Sequence, residues 1–205
     1  MAKRASNQSL FLQGGVEGNE RLTALLAALL FGLLFVEGLT VTSVGSLLKP
    51  HILIGTLLIP PVLYKIISTS WRFTKYYANN PTYVQKGPPV LILRLLGPVI
   101  VVLTLVLLFS GVLLVVGPLS IRSQMSQIHH TSFFLWFLVT AIHVLGHIVE
   151  TVKVAPRDLL RATRSQVQGA SARLWSSLAS LLLGLLAAFW ILPYIAKWSF
   201  AGWGH

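Results

Sequence analysis

The sequence predicts an all-α integral membrane protein of five transmembrane helices, and three observations carry that reading. The 205 residues are 55% hydrophobic and only 10% charged, with a mean hydropathy of +0.76, whereas a water-soluble domain is about a quarter charged. Five apolar stretches meet or approach the roughly 20 residues that a helix needs to cross the hydrocarbon layer. The sixteen Lys and Arg side chains are distributed unevenly, and all but Lys49, Arg122 and Lys197 collect at alternate span ends. This composition excludes an ordinary soluble enzyme. The chain has no cysteine, which also excludes disulfides, iron–sulfur clusters, thiolate metal sites and a cysteine nucleophile, because each needs the sulfur itself.

The first span, 22–48, is about twice the length of a signal-peptide apolar core and follows about 20 more polar residues, so it is expected to stay attached. Only Lys49-Pro50 separates it from the second span, 51–71, where Pro60-Pro61 should bend the helix. Gly97-Pro98 should do the same in the third, 90–117. The fourth, 128–148, carries four histidines, and the fifth is 174–195. Unpaired amides are untenable in lipid, so runs this long and this rich in Leu, Val and Ala should all be helical.

Basic flanks are retained on the cytoplasmic side. Lys3, Arg4 and Arg21 precede the first span; Lys65, Arg72, Lys75, Lys86 and Arg94 surround the second connection; Lys153, Arg157, Arg161, Arg164 and Arg173 surround the fourth. The amino terminus is therefore expected inside and the carboxyl terminus outside, in the cytoplasmic (inner) membrane. The net charge of +11 and the pI near 10.6 then report orientation, and no nucleic-acid partner is expected. Trp71, Tyr76, Tyr77 and Tyr83 at one interface, and Tyr194, Trp198 and Trp203 at the other, suit aromatic belts. The chain divides into a cytoplasmic tail at 1–21, a four-helix core at 22–155, a basic connector at 156–173, and a fifth span with an outer tail at 174–205. The connector reads as a solvated basic loop or, alternatively, as a cationic surface helix on anionic membrane lipids. No loop is long enough to fold a nucleotide-binding domain, so any electron or group donor must come from the membrane or another subunit.

Ionisable groups inside a bilayer are costly, so each is a functional candidate. His51 opens the second span, and His129 and His130 open the fourth. These spans run in the same direction, which puts the three histidines at the same depth near the outer surface. Two neutral imidazoles facing each other there can take both axial positions of a heme iron. At about 100° per residue, His143 falls about 40° short of four full turns from His129, and His147 is in phase with it. Glu150, three residues further on, completes a stripe expected to face the interior. His130 points about 100° away, which favours His129 as the partner of His51, although a helix end could exchange the two. Gly55, one turn after His51, would let a flat macrocycle approach or simply let helices pack.

His51-Ile-Leu-Ile-Gly55, His129-His130-Thr-Ser-Phe-Phe and His143-Val-Leu-Gly-His147 resemble the core of small bacterial membrane-bound b-type cytochromes and ferric-reductase-like transmembrane domains, over roughly residues 20–155. The resemblance implies a four-helix heme-binding bundle plus one additional span. It implies one heme b or two, electron exchange with quinone or quinol, and an extracytoplasmic redox subunit as partner. It also implies that His51 with His129 or His130 holds an outer heme iron, and that His143 or His147 supplies one ligand of an inner heme. The chain departs from that pattern at Lys65, fourteen residues after His51, where a second ligand would stand. One outer heme is therefore expected, and the later histidines would ligate, bind a quinone or relay protons.

Other readings attach to the same residues. His143, His147 and Glu150 have a spacing that could hold Zn²⁺ on one helix face, or they could form a polar stripe that bonds to neighbouring helices. Glu37 could take a quinol proton, or be a protonated acid bonded to a neighbour, and Glu150 could belong to the same relay. Lys49 and Arg122 could pair with heme propionates or snorkel to the interface. The loop 71–94 could clamp a headgroup or serve as belt and turn. A di-iron carboxylate site is excluded, since the spans offer only Glu37 and Glu150. The rival to the cytochrome is a non-redox membrane transporter or assembly subunit that uses the His/Glu stripe for metal binding or helix packing.

Overall fold

The computed structural model describes residues 14–87 and 91–200, the last four as backbone only. Lys3, Arg4, Pro88, Pro89, Trp203 and His205, with the side chains of Lys197 and Trp198, lie outside the described residues. The described chain is all-helical: α1 (Gly15–Val41), α2 (Val44–Tyr77), α3 (Pro81–Lys86), α4 (Leu91–Val116), α5 (Arg122–Val154), α6 (Arg161–Arg164) and α7 (Ala170–Phe200). Five of these are long and apolar enough to cross a membrane. The chain is a multi-pass membrane protein. The long helices run to 34 residues, about 50 Å, and so project beyond a hydrocarbon layer of about 30 Å.

Helices α1, α2, α4 and α5 surround a central cavity, and α7 packs outside them against α2. Leu30 of α1 and Leu58 and Val62 of α2 form one buried cluster, with Leu108 of α4 against it. Ile52 of α2, Val115 of α4, and Ile191 and Ile195 of α7 form another. The dock of α7 has a specific cause. Pro61 has no N–H, so the carbonyl of Leu57 loses its helical donor. Gly184 of α7 lies directly over that carbonyl, where any Cβ would collide with the Leu57 backbone. One turn further along α2, the Tyr64 hydroxyl and Ser176 Oγ are 2.8 Å apart. Near the start of α2 the backbone leaves helical geometry at Leu47, beside Pro50.

The first helix begins at Gly15 rather than near residue 22, and the difference has a chemical reason. Arg21 and Arg173, expected among the solvated cations, are buried to 1% exposure around Asp158, which is equally buried. Arg173 donates from Nη2 to Asp158 Oδ1 at 2.9 Å and from Nε to Oδ2. Arg21 donates to the same Oδ1 at 3.4 Å, to the Thr163 carbonyl at 2.9 Å and to Glu17 at 2.9 Å. This group ties the starts of α1 and α7 to the connector. The connector is therefore neither the expected free basic loop nor one surface helix. It is a 3₁₀ turn at Ala155–Asp158 followed by the single turn of α6, and it is anchored on the only aspartate in the chain.

Three more basic side chains at this end are also engaged. Lys86 pairs with Glu20, Lys75 lies 4.6 Å over the Trp71 ring, and Arg94 bonds the Tyr77 hydroxyl between the rings of Tyr76 and Tyr77. Removing Asp158 would take this counter-charge from buried Arg173 and leave buried Arg21 only the half-exposed Glu17. Asp158→Ala should therefore cost about 3 kcal/mol or more in thermal unfolding in detergent, while Glu17→Ala, at a half-exposed pair, should cost under about 1 kcal/mol.

Candidate functional site at the histidine end of the bundle

The start of α2 and the start of α5 meet across the bundle, and each brings an imidazole. The rings of His51 and His129 lie 6.3 Å apart between centroids, with planes at 82°. They come from separate helices and stand at one level of the cavity. His130 also lines the cavity, with its ring 6.4 Å from that of His129.

Each of the two rings is held through Nδ1. His51 Nδ1 lies 3.0 Å from Glu37 Oε1 and 3.0 Å from Thr40 Oγ1. The Thr40 hydroxyl itself donates to the Glu37 carbonyl at 2.6 Å, which fixes it at the end of α1. His129 Nδ1 lies 3.1 Å from the Leu107 carbonyl and 3.2 Å from Ser110 Oγ, both on α4. A backbone carbonyl can only accept, so the proton of His129 sits on Nδ1 and Nε2 carries the lone pair. The Glu37 carboxylate favours the same tautomer of His51. No hydrogen bond among the described residues engages either Nε2.

Two glycines make the arrangement sterically possible. A Cβ on Gly111 would come within 3.1 Å of His129 Cε1, and one on Gly55 within 3.2 Å of Glu37 Oε1. The bare face at Gly55, read as room for a macrocycle or for helix packing, faces at that point the Glu37 carboxylate that holds His51. Thr40, Ser110, Gly111 and the Leu107 carbonyl were not singled out from sequence. The signal for two of them is visible in retrospect: Ser110-Gly111 interrupts an otherwise almost unbroken run of Leu, Val and Phe in α4.

The later stripe lies along the same cavity toward the basic end. The rings of His143 and His147 lie 4.8 Å apart between centroids with planes tilted by 56°, and His147 Nδ1 lies 3.4 Å from Glu150 Oε2, with Glu150 half exposed at the cavity margin. Lys65, expected among the cations of a connection, stands twelve residues before the end of α2, lines the cavity, and donates to the Thr23 carbonyl at 3.1 Å. Asn19, Thr23 and Ser68 form a hydrogen-bonded chain beside it. Among the described residues no three His, Asp or Glu side chains converge to hold a metal. His143, His147 and Glu150, the candidates for a zinc site, are thus not gathered into a three-ligand set. Arg122 lines the histidine end of the cavity and Lys49 does not line it.

The cavity measures about 2730 Å³, well beyond the roughly 1,000 Å³ upper range for small-ligand pockets. Leu, Ile, Val, Ala and Phe make up much of its wall, with the two polar groupings just described inside and Arg72, Lys86, Arg94 and Arg122 toward its ends. Gly111→Leu should push the His129 ring off the Leu107 carbonyl and cost about 1–3 kcal/mol in thermal unfolding. Gly32→Leu, at a position with no atom within 4 Å of the added Cβ, should change stability by no more than about 0.5 kcal/mol. Comparison with known protein families, with curated proteins and with solved structures finds no match for this chain.

Proposed function

We propose that the protein is a membrane b-type cytochrome in which His51 and His129 are the axial ligands of one heme b, carrying electrons between the quinone pool and an extracytoplasmic partner. The observation that carries this reading is the pair of rings 6.3 Å apart between centroids, each pinned through Nδ1. His51 and His129 come from separate helices with their rings this close, so they would hold the iron of such a group between them. The residues present fit that group. Both Nε2 atoms keep their lone pairs, and both rings are held by partners of the kind that orient metal-binding imidazoles.

A b-type heme supplies a one-electron couple, and the protein's part is to position and tune it. Glu37 and Thr40 fix the orientation of His51, and the carboxylate makes the imidazole a stronger donor. Leu107 and Ser110 hold His129 with a neutral acceptor and a hydroxyl, so the two ligands are unequal by design of their surroundings. His130 lies close enough to replace His129 only if the helix end turns.

Purified protein should show a reduced-minus-oxidised band in the visible region, lost in His51→Ala and in His129→Ala and kept in His130→Ala. A colourless wild-type protein that is correctly folded removes the cytochrome reading and leaves the transporter or assembly subunit.

The same reading places the basic helix ends in the cytoplasm and the histidine pair at the outer face, in the cytoplasmic membrane. The chain has no native cysteine, so single introduced cysteines report side directly. Ser123→Cys should react with an impermeant maleimide added outside intact cells, and Gln85→Cys should react only after the membrane is opened. The reverse pattern inverts the topology.

A further inference from the structure

At the basic end of the cavity, two polar atoms are buried with no hydrogen-bond partner among the described residues: Thr140 Oγ1 and His143 Nδ1. They stand three residues apart on α5, which puts them on one helix face, and both residues line the cavity. Lys65 of α2 lines it too, within electrostatic range of His143. Its ammonium has three N–H donors, and one of them is given to Thr23. Buried polar groups are almost always satisfied, so two orphans in one turn, facing a cavity, call for a partner that the chain itself does not supply.

The chemistry of the surroundings selects that partner. A bare cation is disfavoured by the Lys65 ammonium and by the absence of three converging ligands among the described residues. A second heme would need an imidazole from another helix opposite His143, but His147 is on the same helix, and α2 presents Lys65. What fits is a flat, apolar molecule with carbonyl or hydroxyl groups that accepts from Lys65 and exchanges hydrogen bonds with Thr140 and His143. It would arrive through the bilayer. Phe31 and Phe35 of α1 and Phe134 and Phe137 of α5 line the cavity and are also more than half exposed, so the cavity opens sideways onto the hydrocarbon.

We propose that Lys65, Thr140 and His143 form the binding site for the headgroup of a membrane quinone or quinol. His143 lies about 21 Å along α5 from His129, so this site and the histidine pair occupy opposite halves of one cavity. The choice of a quinone among flat apolar ligands rests on the electron-carrier reading given above. The site itself rests on the orphaned atoms.

The test uses the full chain in lipid nanodiscs, titrated with 2-methyl-1,4-naphthoquinone and followed by quenching of tryptophan fluorescence. Trp136, one turn from Thr140, lines the same cavity. Saturable binding is expected, weakened about tenfold or more in Lys65→Met and in the double variant Thr140→Val with His143→Leu. Binding should persist in Thr140→Ser, which keeps the hydroxyl and reports that the fold tolerates substitution there. His51→Ala should lose the visible band and keep quinone binding, so failure of the heme reading and failure of this proposal show up in different measurements. Non-saturable quenching from partition into lipid, or equal affinity in all variants, would overturn the proposal.

Discussion

Inside a bilayer no water completes a hydrogen bond that the protein leaves open, and this constraint shapes both ends of the molecule. At the histidine end it is met by giving each Nδ1 a partner from a neighbouring helix: Glu37 and Thr40 from α1 for His51, and Ser110 and the Leu107 carbonyl from α4 for His129. Those bonds fix ring orientation and tautomer together, so they tie α1 to α2 and α4 to α5 while preparing two lone pairs. At the basic end it is met by Asp158, which accepts from two buried guanidinium groups at once. The cavity lies between these two anchored ends, and its walls need only be apolar.

The two polar groupings along the cavity differ in how completely they are satisfied. Around His51 and His129 every Nδ1 is engaged. Around His143 the protein stops short, leaving an imidazole nitrogen and a hydroxyl with no partner among the described residues. One arrangement suits permanent occupancy by a group that needs rigid ligands. The other suits an occupant that comes and goes, since a site fully satisfied by its own chain has nothing to offer a visitor.

Much of the fold was legible in the sequence because its signals are local. Apolar length gave five spans, and the meeting of His51 with His129 follows from span direction. What escaped depended on contacts far apart in the chain. Arg21 read as an interfacial cation, with only Glu17 near it in sequence, yet the Asp158 that it shares with Arg173 lies 137 residues away. Lys65 was grouped with the cations around the second connection although it falls within the second span, because nothing nearby in sequence shows the Thr23 carbonyl that it meets. Gly55 was read as room for a macrocycle or for helix packing, and the atom nearest to it comes from Glu37 on another helix. Side-chain phase along one helix can be computed from spacing, but the identity of whatever faces it cannot.

The contact between Gly184 and the carbonyl released by Pro61 sets how closely two helices can lie. With no side chain at 184, α7 rests with its backbone against that of α2, and any larger residue there would meet the Leu57 backbone. The spacing of the seam is thus governed by a single missing methyl, and the fit of an entire helix turns on it.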